Sequence, residues 1–400
     1  MRIGVIHRSL DRLGGAESYL EKILGLLAQR GHEVAFLRER EPLGNGPRIA
    51  VPAGISTWTL GGDGLARLER WNPDVLYVHM VSDPTLEKAL SVNHPSVHLA
   101  HAYHGMCASG AKFWKFPSVR TCGRTLGLGC LVHFYPHRCG GLSPVTLARE
   151  FRLQLRRRDN LRRYGAVVTL SEHMRREVIR HGVGSDHVFR IVPGVEPVGD
   201  VDEKSRPRSP WKILFAGRFS REKGGDWLLR ALPIASAGLG AQLEVTCAGD
   251  GLERGRWEKL AAKVREQGKG ISIRFLPWRS PEALRELLAE CHLLAFPSLW
   301  PEPFGLLGLE AAAAGVPAVA FGTGGIAEWL VDGETGSVAP AEGDRAEGLA
   351  RAILRCLESP DSWERLSQGA RRRAATFTWK AHVEELLGVL RERSARPPTA

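Results

Sequence analysis

The chain has 400 residues, of which 43% are hydrophobic and 25% are charged, and its formal net charge is +11. This length favours two domains, and the composition is that of a folded globular protein. The sequence contains no run of about 18 apolar residues and no secretory pattern near residue 1, so we expect a protein of the cytoplasm or of the cytoplasmic face of a membrane. The positive charge favours anionic partners such as nucleotide diphosphates, anionic lipid or nucleic acid.

The first half of the chain alternates short β-rich runs with helical patterns. It opens with a strand at Arg2–His7, a glycine-bearing loop at 10–15 and a helix at 16–30. Strand, glycine loop, helix and strand in this order predict a parallel α/β sheet. Further strands of the first half are predicted at 34–37, 74–79, 96–101 and 166–171.

A basic segment follows in the same half. Residues 149–163 (REFRLQLRRRDNLRR) hold seven arginines and two acidic residues. Leu147, Phe151 and Leu155 recur every four residues, which predicts a basic amphipathic helix. Two interpretations stay open: a solvated charged face beside the core, or a contact with an anionic membrane surface.

The second half repeats the pattern after a stretch at 197–211 that is rich in proline and charge, as is typical of an interdomain linker. Neither half carries the G-x-G-x-x-G fingerprint, which disfavours a dehydrogenase. A helix beginning near Trp379 closes the chain, with one apolar face formed by Val383, Leu386, Leu387 and Leu390. Strands of the second half, each preceding a helix, are predicted at 212–217, 244–248, 271–276, 293–297 and 317–321.

Several motifs follow strands, where the ligands of open parallel sheets bind. Gly14 and Gly15 open the first helix and either admit a ligand or form a plain helix-opening turn. Arg218 and Lys223 share one strand-to-helix loop and either converge on a diphosphate or remain a solvated basic loop. The glycine-rich run at 322–328 is predicted to open a further helix as an anion loop.

The stretch at 297–310 is the most informative. Pro303 biases Glu302 to an extended conformation, and the first amides of the next helix, at 304–307, would face an anion. Glu310 stands inside an otherwise apolar helix, where a carboxylate is costly unless it is hydrogen-bonded. A ribose diol would supply two donors, whereas the alternative is an exposed helix glutamate.

Together these motifs resemble the retaining glycosyltransferases of family 4, which have the α/β GT-B fold of two Rossmann-like domains facing each other across a cleft. The resemblance covers nearly the whole chain. It implies an acceptor-side domain at 1–198 with a C-terminal helix at about 378–395, and a nucleotide-sugar-binding domain at 210–376. It rests on GGAE at 14–17, a strand ending in His at 101, LSEHMRRE at 170–177, AGRFSREKG at 216–224, AGDG at 248–251, PEPFGLLGLEAAAAGVPAVA at 301–320 and GTGGIAEWLVDGETG at 322–336.

The resemblance implies transfer of a sugar from a nucleoside-diphosphate sugar to an acceptor hydroxyl, with retention and without a metal cofactor in catalysis. The acceptor would be a saccharide, a lipid-linked glycan or a protein in glycan, glycolipid or glycoconjugate biosynthesis, and no specific nucleic acid is expected. The implied catalytic residues are His101, Arg218, Lys223 and Glu302. The implied donor-binding residues are Gly15, Arg218, Lys223, Glu302, Phe304, Gly305, Leu306, Leu307 and Glu310.

Two departures from the family pattern concern the first half. His101-Ala102 stands where many members have His-Asp, which puts the sugar contact in question and makes His104 a substitute. Pro193-Gly194-Val195-Glu196 lacks the asparagine of the usual Pro-Asn-Gly-Val. An epimerase or hydrolase on the same fold stays open, as does a non-catalytic basic protein that binds membranes or nucleic acid.

Four cysteines, Cys107, Cys122, Cys130 and Cys139, lie within one segment of the first half. In a reducing compartment this clustering favours metal over disulfides, although no C-x2-C pair is present. Structural zinc, an iron–sulfur cluster and unligated thiols all stay open. We expect the segment to border the acceptor side.

Overall fold

The computed structural model describes residues 1–12, 14–43, 46–196, 209–267 and 270–395. They form two compact units. The first unit contains Met1–Lys112, Gly123–Gly194 and Trp379–Ala400, and the second contains Phe113–Cys122 and Val195–Thr378. Most of the predicted linker, at 197–208, lies outside the described residues.

The elements of the first half begin with a β-α-β series. In chain order they are β1 (Arg2–His7), α1 (Gly15–Gln29), β2 (Glu33–Arg38), β3 (Ser56–Thr59), α2 (Gly64–Trp71), β4 (Val75–Val78), α3 (Pro84–Asn93), β5 (Ser96–Leu99), β6 (Phe113–Trp114), β7 (Arg120–Thr121), α4 (Gly129–His133), α5 (Pro144–Leu161), β8 (Ala166–Thr169), α6 (Glu172–Arg180) and β9 (Val188–Arg190).

The elements of the second half continue the numbering. They are β10 (Trp211–Ala216), α7 (Gly225–Leu239), β11 (Leu243–Ala248), α8 (Arg254–Gln267), β12 (Ile271–Leu276), α9 (Pro281–Glu290), β13 (Leu293–Phe296), α10 (Leu306–Ala313), β14 (Ala318–Phe321), β15 (Gly336–Ala339), α11 (Arg345–Leu357), α12 (Pro360–Ala375) and α13 (Trp379–Ser394).

Each unit is built on a parallel sheet. The strand order is β3-β2-β1-β4-β5-β8-β9 in the first unit and β12-β11-β10-β13-β14-β15 in the second. The strands are short apolar runs, and those at the centre of each sheet are buried, as parallel strands between two helical layers must be. In both sheets the chain order reverses at one place, between β1 and β4 and between β10 and β13. The two-domain α/β architecture of the GT-B fold is therefore confirmed.

The C-terminal helix α13 packs in the first unit against β4 and β5. The predicted apolar face of this helix is buried, and its members are Val383, Leu386, Leu387 and Leu390. The chain thus returns to its first unit after completing the second.

The short antiparallel pair β6–β7 belongs to the second unit, although it lies within the range 1–198 that was expected to form one domain. Arg345 Nη2 donates a hydrogen bond to the Val119 carbonyl (2.9 Å). Thr121 Oγ1 donates to the Leu299 carbonyl (3.5 Å). These partners are 226 and 178 residues apart in sequence, so local pattern could not indicate the pairing.

The basic segment is helical, as predicted. Helix α5 begins at a Ser-Pro pair, where Ser143 accepts a hydrogen bond from the Thr146 amide and Pro144 occupies the first turn. Leu147 and Phe151 are buried, and Leu155 packs against the same apolar cluster. In the described part of the chain, no helix has the length and apolar character needed to cross a bilayer.

Candidate functional site

The reversal of strand order between β10 and β13 creates a crevice at the carboxyl ends of two adjacent strands, which is where open α/β sheets bind ligands. Lys223 follows β10 and Glu302 follows β13. Lys223 Nζ donates a hydrogen bond to Glu302 Oε1 (2.5 Å), and Ser298 Oγ donates to the same oxygen (2.7 Å). Two residues 79 positions apart in sequence are therefore brought together at the crevice.

The two loops that carry this ion pair are joined by their backbones. The Leu299 and Trp300 amides donate to the Glu222 carbonyl at 2.8 and 3.3 Å. Gly224 has φ 68°, and a Cβ there would lie 2.0 Å from the Pro297 carbonyl oxygen, so only glycine permits this approach. The Lys223 ammonium lies 4.8 Å from the centroid of the Trp300 ring. The position of Lys223 is thus fixed by both loops.

Arg218 lies in the same loop and differs from Lys223. Its side chain is exposed and makes no hydrogen bond or ion pair with any residue in the described ranges. Gly217, beside it, packs against Gly249, where a Cβ would meet the Gly217 carbonyl oxygen at 1.9 Å. The AGDG motif therefore supports this loop, and the guanidinium of Arg218 is available to an anion.

The first amides of α10 are the next feature of the crevice. Gly305 precedes the helix with φ 85°, a conformation that favours glycine. Trp329 Nε1 donates to the Phe304 carbonyl (2.8 Å), which fixes the turn. Gly308 makes room for the same indole, since a Cβ there would lie 2.1 Å from the Trp329 ring. Amides at the start of a helix have no partner within it, so those of Leu306 and Leu307 are suited to an anion.

Glu310 lies one turn further along α10 and is partly buried. Burial raises the pKa of this carboxyl from its ordinary value of 4.5 to about 7, and the charge of Arg285 opposes the shift only in part. The side chain forms no hydrogen bond or ion pair with the residues that the structure describes. A carboxyl in this setting would be stabilised in its charged form by hydroxyl donors from a ligand.

The glycine-rich run at 322–328 differs from its prediction. Instead of opening an α-helix, Gly324–Glu328 forms one short 3-10 turn. A Cβ on Gly324 would lie 2.4 Å from the backbone nitrogen and oxygen of Glu302, and the Gly325 amide donates to the Glu302 carbonyl (2.6 Å). These glycines hold the Glu302 backbone, and they reach it because β14 lies beside β13 in the sheet.

Ser298 and Trp329 are the supporting residues that sequence reasoning missed. Each contacts a predicted site residue through a side-chain donor, Ser298 at Glu302 and Trp329 at Phe304. Ser298 stands four positions before Glu302, within the stretch 297–310, so its nearness to Glu302 in sequence could have indicated the contact. Nothing in the sequence alone pairs Trp329 with Phe304.

In the first unit, the corresponding reversal between β1 and β4 carries histidines. His7 ends β1 and His79 follows β4. A hydrogen bond of 2.8 Å joins His79 Nδ1 and His101 Nε2. Burial lowers the pKa of His101 to about 3, and the neighbouring His7, His98 and His104 act in the same direction. His101 is therefore a neutral imidazole at neutral pH.

A series of buried hydrogen bonds lies next to these histidines, where the Tyr19 ring is 6.0 Å from the ring of His79 and 5.8 Å from that of His101. His382 Nδ1 donates to the Val192 carbonyl (2.7 Å), so its Nε2 accepts from the Tyr19 hydroxyl (2.8 Å). Tyr19 in turn accepts from the Tyr77 hydroxyl (2.9 Å). This series connects α1, β4 and α13 within the core of the first unit.

The GGAE motif opens α1, which begins at Gly15 after Gly14 as its cap residue. Glu17 in the first turn is buried and accepts a hydrogen bond from Arg8 Nη2 (3.3 Å), with His7 Nε2 3.8 Å away. The motif thus places a paired carboxylate beside His7. Gly15 and His101 lie in the first unit, and the other predicted catalytic and donor-binding residues lie in the second.

The cysteine segment does not form a metal-ligand set in the described part of the chain. No group of three or more potential metal ligands is close enough to hold an ion among the described residues. Cys122 belongs to the second unit, whereas Cys107, Cys130 and Cys139 belong to the first. Cys130 and Cys139 pack against the apolar cluster of α5. None of these four cysteines, all of which the structure describes, forms a disulfide. Structural zinc stays a prediction, and metal analysis of the purified chain is its direct test.

The segment is anchored instead by a buried ion pair. Lys112 Nζ contacts Glu177 Oε2 at 2.7 Å and donates to the Arg124 carbonyl at 2.6 Å. Burial alone would raise the pKa of Glu177, but the hydrogen bond and charge of Lys112 lower it.

Comparison with known proteins agrees with this geometry. Residues 13–198 match the family model "Glycosyltransferase Family 4", and residues 200–373 match "Glycosyl transferases group 1". A glycogen synthase of Mycobacterium tuberculosis is 28% identical, covering 92% of this chain and 88% of that protein. A D-inositol 3-phosphate glycosyltransferase of Thermomonospora curvata is 33% identical, covering 56% of each.

Among solved structures, HepE of Anabaena in complex with UDP and glucose superposes with a TM-score of 0.67 at 20% identity, covering 98% of this chain and 100% of that one. This likeness concerns the fold. Because the two family models together match nearly the whole chain, the protein belongs to the glycosyltransferases of the GT-B fold that resemble family 4.

Proposed function

We propose that this glycosyltransferase takes its sugar from a nucleoside-diphosphate sugar bound at the crevice between β10 and β13. The observation that carries the proposal is the set of complementary groups there: the free guanidinium of Arg218, the ammonium of Lys223 and the first amides of α10. Two cations and a helix N-terminus suit a diphosphate. The solved structure of HepE with UDP and glucose, on the same fold, supports this donor class.

The roles of the two carboxyl groups follow from their surroundings. Glu302 has a side chain that is only 6% exposed, and its partners Lys223 and Ser298 both contact one oxygen, Oε1. The other oxygen is left for a hydroxyl of the transferred sugar. Glu310 lacks a hydrogen-bond partner in the described chain and would accept from the ribose diol.

The proposed reaction transfers the sugar with retention. The bond between the anomeric carbon and the diphosphate oxygen breaks, and a bond from that carbon to the acceptor oxygen forms on the same face. The acceptor hydroxyl gives its proton to the leaving phosphate oxygen. Arg218, Lys223 and the α10 amides would stabilise the negative charge that develops on the diphosphate, so the protein's own groups supply this stabilisation without a metal ion.

The proposed acceptor is a hydroxyl group of a saccharide, a lipid-linked glycan or a protein. His101, as a neutral imidazole, would hydrogen-bond a sugar hydroxyl rather than a charged group. An epimerase or hydrolase would give an isomer or free sugar without an acceptor, and product analysis separates these outcomes from transfer.

The first test is a panel of nucleotide sugars scored by thermal shift, followed by titration of the best donor into Arg218→Ala. Loss of one charge-assisted contact should weaken donor binding about 30-fold. Arg221→Ala is the matched control, because Arg221 is exposed in the same loop. Equal donor affinity in the wild type and Arg218→Ala would show that the diphosphate is not bound here.

A further inference from the structure

The first unit exposes an unusual concentration of apolar side chains around α4 and the start of α5. Five of the eleven exposed large hydrophobic residues among those described lie within 128–145. Leu128, Leu142 and Val145 are each 77% exposed, and Val132 is 72% exposed. We call this set, together with Leu131, the apolar patch. Leaving so many neighbouring apolar groups in water is unfavourable unless a partner covers them.

The exposure of the apolar patch does not come from a lack of a hydrophobic core in this segment. The same segment has its own buried cluster, in which Phe134 from the end of α4 packs against Leu147 and Phe151 of α5. Leu128, Leu131 and Val132 recur at intervals of three and four residues and so share one side of the α4 turn. The inner side of the segment is filled, and the patch is what remains outside.

A stripe of arginines continues the patch along α5. Val145, Arg149, Arg152 and Arg156 are spaced by four, three and four residues, which places them on one face of the helix, and all four are exposed. Asp159 ends the stripe, and Glu150 lies at its side. The opposite face of α5 carries the buried Leu147 and Phe151. The outer face of this segment is thus apolar at its start and cationic along its length.

We propose that this face, the apolar patch with Arg149, Arg152 and Arg156, docks the chain onto an anionic lipid bilayer. The apolar side chains would enter the boundary between headgroups and acyl chains, and the arginines would bind headgroup phosphates. A purely solvated face accounts for the arginines but leaves the exposed leucines and valines unexplained. Nucleic acid would neutralise the arginines but leave the apolar patch in water, whereas a bilayer offers headgroup phosphates to the arginines and an apolar interior to the leucines and valines.

The inference goes beyond the proposed transfer reaction and does not depend on it, because none of these residues belongs to the donor crevice. The arginines must be chosen with care. Arg157 donates to the Ser82 carbonyl, and the side chain of Arg158 is only 24% exposed, so changing them would disturb the fold as well as the surface. Arg149 pairs with its neighbour Glu150 while 74% exposed, and such a surface pair contributes little to stability.

The experiment is flotation or co-sedimentation of the full chain with vesicles of phosphatidylcholine alone or mixed with one-third phosphatidylglycerol. We expect binding to the anionic vesicles only. Arg149→Gln/Arg152→Gln/Arg156→Gln should lower the partition coefficient about 100-fold, and Val132→Ser/Leu142→Ser about tenfold. High salt should weaken the wild type and leave the residual binding of the arginine variant unchanged.

Matched controls exist elsewhere on the surface. Arg176→Gln/Arg230→Gln/Arg351→Gln removes the same charge from exposed positions, and Leu252→Ser removes a fully exposed leucine. Both should bind vesicles as the wild type does. Equal losses in test and control variants would reduce the effect to net charge and overturn the proposal. So would self-association through the patch in the absence of lipid, detected by light scattering and abolished by Val132→Ser/Leu142→Ser. Donor binding, measured in parallel, should be the same in all variants, so failure of the docking proposal is distinct from failure of the donor proposal.

Discussion

Glu310 should make the stability of this protein fall as the pH rises, which is the reverse of the usual behaviour of a carboxyl. Its pKa is raised by burial from 4.5 to about 7 in the folded chain. Below pH 4.5 both states hold the proton and the residue contributes nothing. Between 4.5 and 7 the unfolded chain releases a proton that the folded chain keeps, so stability falls with rising pH and the full cost is present above 7.

The size of this cost follows from the shift. A tenfold change in an acid dissociation constant corresponds to about 1.4 kcal/mol, so the cost is about 3 kcal/mol at most above pH 7. It is an upper limit because the side chain keeps some contact with solvent. Glu310→Gln removes it. Urea unfolding should therefore show equal stability of variant and wild type near pH 4, and a more stable variant at pH 8.

The same substitution should impair the function that the carboxyl serves. If ribose hydroxyls donate to Glu310, donor binding favours its charged form, and affinity for a nucleoside-diphosphate sugar should rise about tenfold between pH 6 and pH 8. A nucleotide sugar is the right probe because it lacks the terminal phosphate monoester that titrates near pH 6. Affinity of Glu310→Gln should be lower at pH 8 and independent of pH.

Glu286→Gln serves as the control, since Glu286 is an exposed glutamate in α9 of the same unit. It should match the wild type in both measurements. The reasoning is refuted if Glu310→Gln is no more stable at pH 8 than Glu286→Gln. If Glu310→Gln is stabilised but binds the donor as the wild type does, the cost of the buried carboxyl is supported and the proposed contact with the ribose is wrong.

Two further predictions concern the crevice. Lys223→Ala should lower donor affinity, and it should lower the free energy of unfolding by about 2 kcal/mol because the buried Glu302 carboxylate loses its cation. Arg218→Ala should leave the midpoint of urea unfolding unchanged. Equal midpoints for the two variants would contradict a stabilising role of the buried Lys223–Glu302 pair. Gly308→Ala should lower the free energy of unfolding by about 1–3 kcal/mol, because the added methyl group would collide with the Trp329 ring. The control is Gly388→Ala on α13, where the added methyl group meets open space and the change should be neutral or stabilising. If Gly308→Ala is as stable as the wild type, the Trp329 indole does not fix α10.

Much of the fold could be predicted because the strands of a parallel sheet are short apolar runs, and in the parallel sheet of the second unit each strand is followed at once by a glycine or a proline. Strands β10 to β14 were placed within one residue of their ends, and the buried face of α13 was predicted residue by residue. The segment at 113–122 could not be predicted. Its strands have two residues each, and its anchors, such as Arg345 on Val119, are set by tertiary structure.

The sequence indicated those residues of the candidate site whose charge stands out from their immediate neighbours in the chain. Arg218, Lys223, Glu302 and Glu310 were identified because charges at strand ends, or inside an apolar helix, are conspicuous. The role of the glycines at 322–328 was missed, since it depends on β14 lying beside β13. The cysteines show what nearness in sequence leaves open: it allowed structural zinc, an iron–sulfur cluster or unligated thiols, and it could not indicate that Cys122 belongs to a different unit from the other three.

The two units place different chemistry at the same topological position. Each sheet reverses its chain order once, and each reversal carries side chains from two strand ends. In the second unit these are Lys223 and Glu302, a charged pair with a free guanidinium beside it. In the first unit they are His7 and His79. Burial lowers the pKa of both, so the two imidazoles are neutral at neutral pH, and the Glu17 carboxylate beside His7 is paired with Arg8. A diphosphate requires the first kind of site, whereas the hydroxyls of a sugar are served by the second. This contrast, which arises from which residues end the strands, is a physical reason for assigning the donor phosphates to the second unit.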